Sequence, residues 1–180
     1  MERLDNITGA IELFGQIGGT GNENCIFFAE KDSSKMAVAG GVSGAIAGGV
    51  LGSLAEGVAA TVATTMEYSR ELNLDELNKY NRFLINETEN AVAIIPVDTK
   101  GVLSYKFDIM EGIIEAGRVI SKNQIESIEV KKFSLFTPTF KSVKIKLSAG
   151  YQLEFMVSTN LKKLPYHIEN FTRFSQKYKK

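Results

Sequence analysis

Tryptophan is absent, and cysteine and histidine occur once each, as Cys25 and His167. A single cysteine rules out an intramolecular disulfide and fits a reducing compartment. Common zinc-type metal sites draw several His or Cys ligands, so one chain cannot build them and no metal is expected. A Ser-His-Asp triad would have to use His167, which falls beside Ile168 on a terminal amphipathic segment and reads as a packed or surface helix residue. Cys25 opens the apolar run Cys25-Ile26-Phe27-Phe28-Ala29 and reads as a small buried hydrophobe. The N-terminus, MERLDNITGAIELFG, lacks the basic-then-apolar order of a signal peptide. The body is therefore expected to be cytoplasmic, with membrane association left open.

Net charge is also missing, since 21 Lys+Arg balance 21 Asp+Glu. The balance hides an asymmetry: residues 1–90 hold 6 basic and 13 acidic residues, residues 91–180 hold 15 and 8. Such a split can dock two halves or present a basic surface to a partner. Cofactor signatures are lacking too. Gly15 to Gly21 is glycine-rich, but a phosphate loop needs Lys-Ser/Thr after the last glycine and Asn22-Glu23 stand there. A dinucleotide fingerprint needs glycine at position 24, which is Asn. The stretch reads as a loop, and no cofactor is expected.

What the chain has in abundance is glycine between Met36 and Met66. Gly40, Gly44, Gly48 and Gly52 recur every fourth residue, and the only charge in the stretch is Glu56. On a helix this spacing makes a side-chain-free groove that admits a second backbone. Each glycine costs a helix about 0.8–1.0 kcal/mol relative to alanine, so close packing must offset the groove. The opposite face carries Val42, Ile46, Val50 and Leu54, which makes the helix apolar all round and hence buried. Residues 36–55 carry no charge and approach the roughly 20 residues that span a bilayer. However, two arms of about 15 residues reach only about 22 Å, short of the roughly 30 Å hydrocarbon core. The expectation is a helical hairpin that packs through the four glycines, in self-association or in contact with a membrane.

The rest divides into residues 1–35, an N-terminal segment with one short strand; 36–82, the helical segment; and 83–180, a strand-rich domain. Leu4, Ile7 and Ile11 predict one to three helical turns. Leu72, Leu74, Leu77, Tyr80 and Leu84 predict a helix. Pro96 marks a strand end or an edge. Strands are expected at Arg118-Val119-Ile120 and from Gln124 to Phe133, and Pro138 lies in a loop. The clearest signal is a hairpin: Val143, Ile145 and Leu147 alternate with Lys144, Lys146 and Ser148, then Tyr151, Leu153, Phe155 and Val157 alternate with Gln152, Glu154 and Met156. Leu164, Ile168, Phe171, Phe174 and Tyr178 form one helical stripe, with Pro165 suited to the first turn.

Short antiparallel strands followed by one C-terminal helix resemble a pleckstrin-homology-like (PH-like) domain. The most specific part is Arg118 to Val130, RVISKNQIESIEV, similar to the strand, polar turn and Ile-x-x-Ile/Val pattern of small bacterial PH-like domains. The resemblance covers about residues 83–180, with the glycine segment as an insertion after an early strand at 25–29. It departs from the family in lacking tryptophan in the terminal helix. It implies an α+β fold: an antiparallel barrel or bent sandwich with a C-terminal capping helix. It also implies binding or oligomerisation rather than catalysis.

Lys131, Lys132, Lys141, Lys144 and Lys146 form the densest basic set, with Lys144 and Lys146 on one strand face. They suit an anionic lipid surface or an acidic protein; nucleic acid ranks last, since aromatics placed for base stacking are sparse. The leading expectation is a non-enzymatic binding or assembly module, with a homo-oligomer as one form. The alternatives are a membrane-anchored protein with a cytoplasmic PH-like domain, and a small enzyme using carboxylates or Cys25.

Overall fold

The computed structural model describes residues 4–31, 72–98, 111–133, 138–148 and 150–179. Among them the elements are α1 (Ile7–Gly15), β1 (Cys25–Lys31), β2 (Arg82–Glu87), β3 (Ala91–Asp98), β4 (Glu111–Gly112), β5 (Arg118–Ser121), β6 (Ile125–Lys132), β7 (Phe140–Leu147), β8 (Gln152–Ser158) and α2 (His167–Lys177). Every strand pair is antiparallel. The eight strands make one open sheet, ordered β4-β3-β2-β1-β8-β7-β6, with β5 beside β4 on β3. This is the expected α+β arrangement of an antiparallel sheet with a C-terminal helix. The glycine hairpin, with Gly40, Gly44, Gly48 and Gly52, lies outside the described residues.

Two apolar clusters explain the strand sequences. The larger joins Phe27, Phe83, Ile85, Val92 and Ile94 to Val130, Val143, Ile145, Phe155 and Val157, and takes in Phe171 and Phe174 of α2. The sheet therefore bends so that β6–β8 face β1–β3. Phe27 of β1 anchors the helix, with its ring 5.2 Å from Phe171 and 4.7 Å from Phe174. The smaller cluster lies on the outer face of β1–β3, where Ala10, Leu13 and Phe14 of α1 cover Ile26, Phe28, Leu84, Ala93 and Ile95. Burial on both faces leaves successive positions of β1, β2 and β3 buried, with apolar runs at 25–29, 83–85 and 91–97, whereas β8 faces the core on one side and alternates.

Three expectations change in detail. Residues Leu74–Lys79 form a 3-10 turn, not a helix reaching Leu84; Leu74 and Leu77 are buried in the main core, and Leu84 belongs to β2. Pro96 does not end β3, which continues to Asp98. Its carbonyl accepts from the Ile113 amide at 2.8 Å, at the point where β3 changes partner from β5 to β4. A residue without an N–H fits that gap between two ladders. Finally, the stripe expected on α2 is displaced. Leu164 precedes the helix and joins the outer cluster, Ile168 is exposed, and His167, Asn170, Phe171 and Phe174 are the buried set.

Candidate functional site

The buried polar side of α2 has a definite task. β1 pairs with β8 only at Glu30 and Lys31, so its edge further back has no strand neighbour. Three side chains of α2, each three residues apart, serve that edge. His167 Nδ1 accepts the Phe28 amide at 3.0 Å, and Nε2 lies 2.6 Å from the Ser158 carbonyl. A carbonyl can only accept, so the imidazole is neutral with its proton on Nε2. Asn170 Nδ2 donates to the Ile26 carbonyl at 2.9 Å, and an Arg173 guanidinium N–H donates to the Asn24 carbonyl at 3.2 Å. The three thus meet the Phe28 amide and the Ile26 and Asn24 carbonyls, two residues apart on β1 and in the loop before it. Burial pushes the His167 pKa down, partly offset by its bond to Ser158.

Beyond the last turn of α2 lies a cluster that sequence patterns did not reveal. Glu87, at the end of β2, is 5% exposed. Its Oε1 accepts from Lys122 at 2.5 Å, from Lys177 at 2.7 Å and from the Tyr178 hydroxyl at 2.7 Å. Lys122 also donates to the Tyr178 oxygen and sits 5.2 Å from its ring centroid. Burial alone would raise the Glu87 pKa; the bonds from Lys122, Lys177 and Tyr178 outweigh it and hold the carboxyl ionised, below its ordinary value. Burial and the facing carboxylate push the Tyr178 phenol up. One oxygen thus ties β2, the β5–β6 connection and α2 together. The sequence holds a weak signal for it, an acidic residue closing a strand whose centre, residues 83–85, is apolar.

Cys25 is buried, and its thiol donates to the Asn170 carbonyl at 3.1 Å. Burial pushes its pKa up, against the lowering influence of Arg173, so the reactive thiolate is disfavoured. The Gly15–Gly21 stretch is docked on the sheet. Asn86 of β2 donates to the Gly19 carbonyl at 2.9 Å and to Asn24 Oδ1 at 2.8 Å. Glu89 accepts the amides of Asn22 and Glu23 at 3.0 and 3.4 Å, bonds that lower its pKa, the Asn22 amide most. The Asn22 and Glu23 amides are thus occupied by the chain's own carboxylate, and those of Gly18, Gly19 and Gly21 by the Gly15 and Phe14 carbonyls and Asn24 Oδ1.

The predicted lysines fall into two groups. Lys144 stands directly between Glu129 of β6 and Glu154 of β8, and Lys146 between Ser127 and Gln152. Lys131 pairs with Glu129 at 2.6 Å. Glu129, Lys131, Lys132, Phe133, Ser142, Lys144 and Glu154 line a shallow depression of about 140 Å³ on the sheet surface, with Ser142 donating to Glu154 at 3.2 Å. Lys132 and Lys141 instead face each other across β6 and β7, in the phase of the buried Val130 and Val143. Among the described residues no group of three or more His, Cys, Asp or Glu could hold a metal ion, and no helix is long and apolar enough to cross a membrane. Comparison with family models, with curated proteins and with solved structures finds no match for this chain.

Proposed function

We propose that the chain is a non-enzymatic binding and assembly module on a PH-like scaffold. The observation that carries this reading is that Cys25, Glu87 and His167, the ionisable groups buried in the sandwich, are each engaged in bonds between elements of the fold. A catalytic group must keep a lone pair or a proton free for substrate; here both His167 nitrogens, the Cys25 thiol proton and one Glu87 oxygen are engaged within the fold. The strand order supports the PH-like assignment: five strands on one side of the bend, with β4 and β5 sharing one edge of β3, three on the other, and a terminal helix packed between them.

The same scaffold frames the glycine-rich stretch. Residues 32–71 leave from the end of β1 and rejoin at Leu72. The Lys31 amide donates to the Asn81 carbonyl at 2.8 Å, and the Lys31 ammonium to Asn78 Oδ1 at 2.6 Å. The stretch therefore, in our reading, leaves and returns on one side of any membrane it touches. In our reading, the repeat of Gly40, Gly44, Gly48 and Gly52 mediates self-association. Sedimentation velocity on the full chain tests this. The parent should form a defined oligomer, and Gly44→Leu/Gly48→Leu should shift it to monomer with its far-ultraviolet circular dichroism retained. A parent that stays monomeric at high micromolar concentration overturns the assembly reading. An integral protein with its tagged termini on opposite sides of a membrane overturns the topology.

A further inference from the structure

The bend of the sheet is also a border of charge. Residues 1–121, up to the end of β5, hold 9 Lys+Arg and 17 Asp+Glu, whereas residues 122–180, with β6–β8 and α2, hold 12 and 4. The main apolar core lies between the two layers. Between described residues, the ion pairs that cross the border are those of Glu87 with Lys122 and Lys177; the other three stay within one layer. Each end of the strand order concentrates one sign. At the β4 end, Asp98 stands directly opposite Glu111. Glu115 follows in the 3-10 turn Ile114–Ala116, between β4 and β5 on the same edge of β3. At the β6 end, Lys132 stands directly opposite Lys141, and Lys179 bridges to Val130 along the free edge of β6. Like charges placed directly across a ladder destabilise it. Each end therefore carries a cost that a facing surface of opposite sign would relieve. Asp98, Glu111, Glu115, Lys132 and Lys179 are exposed, and Lys141 is half-buried. Asp98, Glu115 and the three lysines form no ion pair with another described residue.

We propose that the acidic β3–β4 edge of one chain docks head to tail on the basic β6–β7 end of a second copy. This rests on the assembly reading and adds a second, electrostatic contact to it. The two surfaces differ in residues and are opposite in sign, so the contact is heterologous. Each added copy brings a fresh head and a fresh tail, and such a contact closes into a ring or runs on as a filament. Complementary potentials steer the encounter and fix its orientation. A second copy fits better than an unrelated charged partner, because one chain supplies both surfaces and the surplus of acid before the bend equals the surplus of base after it. Lys144 lies outside the basic surface, flanked by two glutamates.

Salt separates this contact from the glycine contact, since the screening length is about 3 Å at 1 M and about 30 Å at 0.01 M. Sedimentation velocity of full-length Gly44→Leu/Gly48→Leu should show monomer at about 1 M salt and concentration-dependent assembly at about 0.01 M. The parent gives a second reading, with larger assemblies at low salt than at high salt. In the glycine-variant background, Lys132→Gln/Lys141→Gln/Lys179→Gln should weaken the low-salt assembly at least about tenfold, the low end of couplings between close interfacial charges. Relief of the opposed pair should leave the Tm of that variant unchanged or raised. Lys132→Glu/Lys141→Glu and Asp98→Lys/Glu115→Lys should each be monomeric in this background. Mixed in equal amounts they should form a heterodimer and nothing larger, because one intact interface remains between them. Should a reversal variant fail to fold by circular dichroism, the glutamine variant and Asp98→Asn/Glu115→Gln carry the same comparison. A glycine variant that stays monomeric at low salt, low-salt assembly indifferent to the lysine and acid substitutions, or an equal mixture that does not associate overturns the proposal. Retention on an acidic polypeptide by a chain that is monomeric at low salt overturns the assignment to a second copy. A parent that is monomeric at about 1 M salt counts against the glycine contact alone, so the two failures are distinct.

Discussion

His167 closes the gap that opens between β1 and β8: it accepts the Phe28 amide at 3.0 Å with one nitrogen and meets the Ser158 carbonyl at 2.6 Å with the other. The arrangement works for the neutral ring alone. A second ring proton would meet the Phe28 N–H head-on and leave a charge in a site that is 0% exposed.

A pH dependence follows. Burial lowers the folded pKa of His167 below the ordinary 6.5, so between the two values the unfolded chain binds the extra proton. The stabilisation is complete above about pH 6.5 and declines as pH falls toward the folded value. Since His167 is the sole histidine, urea unfolding between pH 7 and pH 5 reads it directly. Stability of the parent should fall across this window. His167→Gln should be less stable at pH 7 by about 1–3 kcal/mol, the cost of an unsatisfied buried group, with a flatter profile. A parent curve that is flat from pH 7 to pH 5 would rule out this role.

Glu87 gives a second window at lower pH. Its folded pKa lies below the ordinary 4.5 because Lys122, Lys177 and Tyr178 outweigh the effect of burial. Its contribution is present above about pH 4.5 and is lost as pH falls toward the folded value. Removing one partner of a fully buried pair costs about 3–5 kcal/mol. Here the Lys177 side chain is 54% exposed, so water screens part of the interaction and the loss for Glu87→Gln should be nearer 1–3 kcal/mol. Acid unfolding followed by tyrosine fluorescence should show the variant losing less stability between pH 4.5 and pH 3 than the parent.

Legibility in the sequence tracked how local each signal was. Strict alternation exposed the β7–β8 hairpin, and the apolar run at 25–29 exposed β1, because both depend on neighbours two residues apart. The face of α2 was misread because β1 needs hydrogen-bond partners there: His167 and Asn170 are buried for their polar atoms, and an apolar-stripe search passes over them. The Glu87 cluster joins residues 35 and 90 positions apart, and no periodicity records such a meeting. Glu89 on the amides of Asn22 and Glu23 is a further case: composition marked residues 15–21 as a loop, while a distant carboxylate holds the end of that stretch in place. For the lysines, one-strand reasoning grouped Lys144 with Lys146, and the register then set Lys144 between two glutamates and Lys146 between Ser127 and Gln152.

The outer layer offers a graded packing test. A Cβ at Gly19 would lie 2.6 Å from the Cβ of Ala93, and a Cβ at Gly112 would lie 2.6 Å from Leu13 Cδ2. The distances are equal but the obstacles differ. Ala93 sits on β3 between β2 and β5, so its Cβ moves only if the strand or the 15–24 loop moves. At Gly112 all three contacts are to the Leu13 side chain, with Cδ1 at 2.8 Å and Cγ at 3.2 Å, so the whole isobutyl group must shift but no backbone need move. Gly19→Ala should therefore cost about 2–3 kcal/mol, the upper part of the usual range for overpacking, and Gly112→Ala only about 1 kcal/mol. The clash at Gly19 is specific to one partner, which a double-mutant cycle can isolate. In the Ala93→Gly background, Gly19→Ala should lose at least about 0.5 kcal/mol less than it does in the parent. Additive effects at the two positions would mean that the α1 layer does not press on β3 at that point.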